Sequence, residues 1–174
     1  MKKYFLILVL LCATITNAHT IELEGGIGII NSISTGITGI IPLNQYSKDI
    51  LINYSSGMTP LIGEYYGVSI KLQEPNGFRY GIFYKERTIY DGLWEDIFSN
   101  IFSGGSSNSN APDSKYDIYG IGLDKVFSSD EFFSPWAGID IGYSYLRNKD
   151  SWSGENGYKD SFYMDFKLGI MIRF

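Results

Sequence analysis

The clearest pattern in this sequence is an alternation of apolar and polar residues with a period of two. In the C-terminal segment every second position from 162 to 174 is apolar, and Asp165, Lys167 and Arg173 stand between them. A period of two places alternate side chains on opposite faces of a β-strand. The alternation recurs elsewhere and predicts six strands, near residues 20–30, 62–72, 78–88, 115–127, 136–147 and 160–174.

Two weaker strands are expected between the first and second of these, near residues 35–42 and 48–56. Ile50, Ile52 and Tyr54 carry the alternation in the latter. The pattern therefore predicts an all-β chain that folds as a single antiparallel up-and-down barrel of about eight strands.

Connection lengths agree with an even strand number. The predicted connections 73–77 and 128–135 fall on the side of both termini, and both are short. The connections 87–114 and 147–160 fall on the opposite side, and they are the longest and most polar. Short turns on one side and long loops on the other are typical of transmembrane barrels.

The residue types on the two faces favour an apolar outside and a polar inside. Glycine weakens a strand, yet the polar face carries nine glycines: Gly26, Gly28, Gly67, Gly81, Gly120, Gly122, Gly138, Gly142 and Gly169. Small residues between long charged ones suit a crowded interior. Aromatic residues toward strand ends are expected to form the girdles at the two membrane interfaces, namely Trp136, Tyr145, Phe162 and Phe174. A soluble barrel with an apolar interior is the alternative.

The N-terminus predicts export. Two lysines precede an unbroken apolar run from Tyr4 to Leu11, and small or polar residues follow as far as Ala18. This layout is typical of a secretory signal peptide, and the run is far shorter than the roughly 20 residues of a spanning helix. We expect cleavage after Ala18, which gives a signal peptide over 1–18 and one barrel domain over 19–174.

Cysteine content and charge exclude several kinds of partner. The one cysteine, Cys12, lies inside the predicted signal peptide, so the mature chain has no thiol for a disulfide or a cysteine-ligated metal. We expect no cofactor and no metal site. The net charge of −5 gives an acidic surface that repels phosphate backbones, which argues against nucleic acid as a partner.

The last residues carry a family resemblance. The sequence ends at Phe174, with Phe166, Leu168, Ile170 and Ile172 at every second position before it. This pattern resembles the C-terminal signal by which the assembly machinery recognises outer-membrane barrels. The whole mature chain resembles the small barrels typified by OmpX/Ail, the OmpA transmembrane domain, OmpW and the opacity proteins. The resemblance implies a surface-exposed protein of the bacterial outer membrane, with outer-membrane lipid and the barrel assembly machinery as partners.

Charged residues on the glycine-bearing face turn inward in this orientation. They are Glu22, Glu24, Lys71, Arg79, Lys85, Asp124, Asp140, Asp165, Lys167 and Arg173. An eight-stranded barrel is only just wide enough for its own side chains. We therefore expect a plugged interior in which these residues form a salt-bridge network. A carboxylate pair with a chemical role, or an ion pathway, is the alternative use of the same residues.

Catalysis finds little support. The lipid A deacylases and palmitoyltransferases resemble this chain in size and architecture, and they use a catalytic histidine with a serine. The one histidine, His19, lies at the predicted mature N-terminus, far from the outer leaflet, where it cannot be held beside a nucleophile. We expect no catalytic residue and no enzymatic activity.

The longest loop carries apolar residues at helical spacing: Leu93, Trp94, Ile97, Phe98, Ile101 and Phe102. They predict a short amphipathic helix near 92–102, with Asp91 as its N-cap. This helix could pack on the barrel rim, lie in the outer-leaflet interface or present its apolar face to an extracellular protein. Trp152, in the last long loop, leaves the same choices open.

The function expected from the resemblance is that of a non-enzymatic surface barrel. Such a protein contributes to envelope integrity, or binds partners or adheres through its long outer loops. The first alternative is a narrow, porin-like channel or small-hydrophobe transporter of the OmpW type. The second is a lipid A-modifying enzyme.

Overall fold

The computed structural model describes residues 20–30, 32–43, 48–59, 63–90, 114–128, 132–147 and 160–174. These residues form eight antiparallel β-strands in sequence order, and β8 pairs with β1 to close a barrel. The strands are β1 (Thr20–Gly28), β2 (Ser32–Leu43), β3 (Lys48–Thr59), β4 (Gly63–Gln73), β5 (Phe78–Ile89), β6 (Ser114–Val126), β7 (Phe133–Leu146) and β8 (Ser161–Arg173). The all-β, up-and-down architecture predicted from the alternation is confirmed.

The two weakly predicted strands are present and longer than expected. Predicted near 35–42 and 48–56, they extend over Ser32–Leu43 and Lys48–Thr59. Their alternation is weak because Ile40 and Leu51 turn inward beside outward-facing isoleucines. The predicted helix near 92–102, residues 1–18, His19 and Trp152 lie outside the described residues. No helix long and apolar enough to cross a membrane occurs among the described residues.

The barrel closes through a continuous ladder between its first and last strands. Glu22 lies opposite Arg173 and Gly28 opposite Lys167 in the β1–β8 register. The backbone N–H of Phe174 donates to the carbonyl of Ile21 at 2.9 Å. Closure removes the unpaired sheet edges at which strands of other chains would add.

The two ends of the barrel differ. The turn end holds Thr20, Phe174 and the connections β2–β3, β4–β5 and β6–β7; the loop end holds the other four connections. At the turn end, β4 and β5 meet in a tight turn in which the Gly77 N–H donates to the Glu74 carbonyl at 2.9 Å. Gly77 has a φ of +83°, which favours glycine.

The outer surface of the barrel is apolar and the inner surface is polar. Ile82 and Ile121 are 64% and 63% exposed on the outside, whereas Glu22 and Asp165 are fully buried inside. This distribution is the reverse of that in a water-soluble barrel.

The girdle position predicted for Trp136 is wrong. Its side chain points inward, is buried, and packs with Val126 and Met171. The physical reason is the pleat of β7, because position 136 shares its face with Gly138 and Asp140. Tyr145, Phe162 and Phe174 do lie on the outside, and all three are exposed.

Interior glycines make room for the charged side chains. A Cβ on Gly28 would lie 2.9 Å from an oxygen of Asp165, and a Cβ on Gly122 would lie 2.8 Å from an oxygen of Asp140. These contacts are shorter than van der Waals distances. The glycine-rich face is therefore a steric requirement of this packed interior.

Candidate functional site

The first interior cluster, which we call the turn-end ion group, consists of Glu22, Glu24, Arg79 and Arg173. Arg79 donates from Nη2 to both oxygens of Glu22, at 2.8 and 2.7 Å. Arg173 donates from Nε to the same carboxylate at 3.0 Å. One buried carboxylate thus pairs with two guanidinium groups from β5 and β8. Glu24, 3.5 Å from Nη1 of Arg79, supplies the second negative charge of the group.

Neutral side chains complete the hydrogen bonding of this group. Arg79 donates from Nε to the amide oxygen of Gln73 at 2.7 Å. Glu24 accepts from the hydroxyl of Thr38 at 2.8 Å, and Asn53 donates to that hydroxyl at 2.8 Å. Satisfying the remaining donors and acceptors is what makes a buried ion pair tolerable.

The second cluster, the middle ion group, consists of Lys71, Lys85, Asp124, Asp140 and Lys167. Asp140 accepts from Lys85 at 2.7 Å and from Lys167 at 2.8 Å. Asp124 accepts from Lys71 and lies 3.7 Å from Lys167. These five side chains from β4 to β8 form one connected network across the interior.

Aromatic rings surround the ammonium group of Lys85. Its Nζ lies 5.1 Å from the ring centroids of Tyr65 and Phe83, and 5.3 Å from that of Tyr163. The Tyr163 hydroxyl is also 3.0 Å from this nitrogen. The ring faces stabilise a buried cation electrostatically, so Lys85 is held by both a carboxylate and a ring of aromatics.

Asp165 lies beside the connection between β1 and β2. It accepts a hydrogen bond from the backbone N–H of Ile30 at 2.9 Å, and the Tyr163 hydroxyl lies 3.4 Å from its other oxygen. Asp165 therefore ties the first turn of the barrel to β8.

Two apolar clusters pack around these ion groups. The loop-end cluster contains Phe83, Tyr116, Ile118 and Tyr163, and the turn-end cluster contains Val126, Trp136 and Met171. Both are continuous with the charged network. The sulfur of Met171 lies 3.5 Å from Nη2 of Arg79, and the ring of Trp136 lies 5.6 Å from Nζ of Lys167.

A small cavity of about 40 Å³ lies inside the barrel, beside the middle ion group. Small polar residues of β2 to β4, such as Ser34, Ser55 and Ser69, line one wall. Oδ1 of Asp124 and Nε1 of Trp136 are buried without a hydrogen-bond partner among the described protein atoms, and both residues line this cavity. Its volume accommodates a few water molecules that could satisfy them, but no larger solute.

All ten charged residues predicted for the interior point inward, and the structure divides nine of them between the two ion groups, with Asp165 beside Tyr163. Sequence reasoning missed their uncharged partners Tyr65, Gln73, Asn53 and Tyr163. Their positions in the alternation, on the same faces as Lys71 and Asp165, could have identified Tyr65, Gln73 and Tyr163. No group of three or more potential metal ligands occurs among the described residues.

The outer surface carries two bands of aromatic residues, one near each end. The loop-end band contains Tyr66, Tyr84, Tyr119, Tyr143, Tyr145 and Phe162. The turn-end band contains Phe78, Tyr80, Phe127, Phe132, Phe133 and Phe174. Aliphatic residues lie between them, and the C-terminal residues Phe166, Leu168, Ile170 and Ile172 all face outward on β8.

A polar cluster lies among the residues of the loop-end band, where Asp117 is opposite Tyr145 and Glu86 is opposite Tyr66. Arg147, directly after β7, donates from Nη2 to Asp117 and to Glu86, the latter at 3.0 Å. The Tyr84 hydroxyl donates to Asp117 at 2.6 Å. These hydrogen bonds, first to Asp117 and then to Glu86, raise the pKa of Arg147 above its usual value. Charged residues that bond to one another therefore link β5, β6 and the end of β7 on the outer face at this end.

Comparison with known proteins supports the fold only. No protein-family model and no curated protein matches this sequence. The structure is similar to the crystal structure of the N-terminal β-barrel domain of Pseudomonas aeruginosa OprF, with a TM-score of 0.54 and 13% sequence identity. The match covers 90% of this chain and 98% of that one. The expected resemblance to the small eight-stranded barrels is confirmed at the level of fold.

Proposed function

We propose that this protein is a non-enzymatic barrel of the bacterial outer membrane whose interior is sealed. The observation that carries the proposal is the inverted distribution of polarity. An aliphatic surface between two aromatic bands suits a lipid bilayer, and a polar interior filled with ion pairs does not suit a soluble lipid carrier.

The height of the apolar surface supports a membrane setting. On β6 the outward residues from Asp117 to Lys125 enclose Tyr119, Ile121 and Leu123. Eight residue steps of about 3.3 Å, on a strand tilted by about 40°, span roughly 20 Å. This height approaches the roughly 25 Å apolar band of outer-membrane barrels.

Export and assembly form part of the same proposal. Residues 1–18 act as the signal peptide, and Phe166 to Phe174 present the outward apolar side chains that the assembly machinery reads. The turn end then faces the periplasm, and the long loops face the outside. Envelope integrity, or binding of an extracellular partner by those loops, is the role that this arrangement supports.

The sealed interior separates this proposal from a channel of the OmpW type. The test is conductance of the purified barrel in planar bilayers. We expect no stable openings above the leak, because ion pairs and apolar clusters fill the interior. Steady openings in the wild type would reject the sealed barrel in favour of a channel.

The alternative of a lipid A-modifying enzyme can be tested by the mass of lipid A. Lipid A from cells that express the protein would change in mass by the acyl group removed or added. We expect an unchanged lipid A spectrum, and a new species would overturn the non-enzymatic proposal.

A further inference from the structure

Two lysines point outward at the turn end, one on each side of the β4–β5 turn. Lys125, on β6, donates from Nζ to the backbone carbonyl of Asn76 and lies 4.5 Å from the ring centroid of Phe78. Lys48, on β3, lies 3.2 Å from the Tyr80 hydroxyl and 5.8 Å from the centroid of that ring. Each ammonium group thus lies over a ring of the turn-end aromatic band.

The two lysines differ in how their charge is balanced. Nζ of Lys48 lies 3.3 Å from a carboxylate oxygen of Glu74. Lys125 has neutral partners, and no carboxylate pairs with it among the residues that the structure describes. At the opposite rim, Arg147 is bonded to both Asp117 and Glu86. Within the described part of the chain, Lys125 is therefore an outward cation at the turn end whose charge no carboxylate balances.

The β4–β5 turn is bonded to the strand that carries Lys125. The N–H of Phe78 donates to the side-chain oxygen of Asn76 at 3.1 Å. The N–H of Val126, next to Lys125, donates to the Gly77 carbonyl at 2.9 Å. These bonds fix the start of β5 against the end of β6, so the position of Lys125 is set by the strands themselves.

An exposed apolar strip leads from this cation toward the middle of the barrel. Phe78 and Leu123 are 41% and 46% exposed, and Ile82 and Ile121 beyond them are more exposed still. An ammonium group at the edge of such a strip matches an amphiphile that has an anionic head and an acyl tail.

We propose that Lys125 binds the phosphate of an anionic phospholipid whose acyl chain lies along this strip. The inference rests on the proposed membrane function and adds a lipid partner at the turn end. The bound lipid anchors the depth of the barrel on its periplasmic side, where Phe78 and Tyr80 meet the interface.

The matched control is Lys115, which faces outward on the same strand at the other end. Lys125→Gln and Lys115→Gln remove the same charge ten positions apart. The folded barrel and both variants are titrated with phosphatidylglycerol and with phosphatidylcholine, and lipid adducts are measured by native mass spectrometry. A heat-dependent gel shift of each variant checks that it is folded.

We expect the wild type and Lys115→Gln to retain phosphatidylglycerol in preference to phosphatidylcholine. Lys125→Gln should weaken this binding by about fivefold. Equal retention of both lipids, or equal loss in both variants, would overturn the proposed site. Displacement of the lipid by excess inorganic phosphate alone would identify a site for free phosphate. That result would also overturn the proposal that a phospholipid is the ligand. If the heat-dependent gel shift is normal and the lipid preference is absent, only the lipid site is rejected. If the protein does not associate with membranes at all, the proposed function is rejected as well.

Discussion

Arg79 on β5 and Glu22 on β1 form an ion pair across the interior of the barrel, with Nη2 of Arg79 at 2.8 and 2.7 Å from the two carboxylate oxygens. β1 and β5 lie on opposite sides of the ring of eight strands. Both side chains are almost fully buried. Since a buried charge is costly without its partner, the loss of either side chain should destabilise the barrel.

Removal of Glu22 should be the most damaging change in the turn-end ion group. Glu22→Gln leaves Arg79 and Arg173 without their shared carboxylate, and breaking a buried pair costs about 3–5 kcal/mol. Arg173→Gln should cost less, because that side chain is partly exposed and Glu22 keeps Arg79. The measurement is the free energy of unfolding in urea with the barrel in detergent or lipid.

The order of these variants is the decisive result. We expect Glu22→Gln to be less stable than Arg79→Gln, and Arg79→Gln less stable than Arg173→Gln. Equal midpoints for all three would mean that the ion pairs contribute little to the fold.

Adjacent glycines on β1 provide a test of interior crowding. A Cβ on Gly26 would lie 2.9 Å from the Leu168 carbonyl oxygen and 3.1 Å from the ring of Trp136, whereas a Cβ on Gly25 meets nothing within 4 Å. Overpacking typically costs about 1–3 kcal/mol. Gly26→Ala should therefore lower the free energy of unfolding by that amount, and Gly25→Ala should leave it nearly unchanged. Equal effects would contradict the close packing at Gly26.

The proposal that the outer surface faces lipid can be tested with charged substitutions at two depths. Ile121 and Phe127 are 63% and 61% exposed, but Ile121 lies mid-strand and Phe127 lies at the turn end. In a bilayer, Ile121→Arg should cost about 2–4 kcal/mol and Phe127→Arg about 0–1 kcal/mol. Folding yield and stability in lipid vesicles measure the difference. A barrel surrounded by water would tolerate both changes equally.

The buried position of Trp136 predicts its fluorescence. In a variant with Trp94→Phe and Trp152→Phe, Trp136 is the remaining tryptophan. Brominated acyl chains should quench its emission weakly, because the ring lies inside the barrel against Met171 and Lys167. Phe162→Trp in the same background places an indole on the outer surface and should be quenched strongly. Strong quenching of Trp136 itself would place its ring on the lipid-facing surface and contradict the inward position.

Much of the fold could be predicted because the period of two is a local property. Strands such as β8 show an unbroken alternation, so their faces follow from residue parity alone. The run Ile50–Ile52 in β3 hides the pattern, because Leu51 contributes to the apolar part of the interior. For Trp136, position near a strand end suggests a girdle, whereas its parity with Gly138 and Asp140 places it inside.

The pairing inside the barrel could not be read in the same way. Asp124 lies opposite Arg79 in the β5–β6 register, yet its partners are Lys71 and Lys167. Side-chain reach and strand tilt decide these contacts, and neither is encoded in the alternation. The sequence therefore identifies which residues face inward, and the three-dimensional arrangement decides which of them pair.

The most direct test of the central claim is a denaturing gel of the outer-membrane fraction, run with and without boiling. A closed barrel leaves no strand edge from which unfolding can start, so the unheated protein should stay folded in detergent. We predict that it is found in this fraction and migrates differently until it is boiled. A soluble periplasmic protein with the same mobility before and after heating would contradict the membrane barrel.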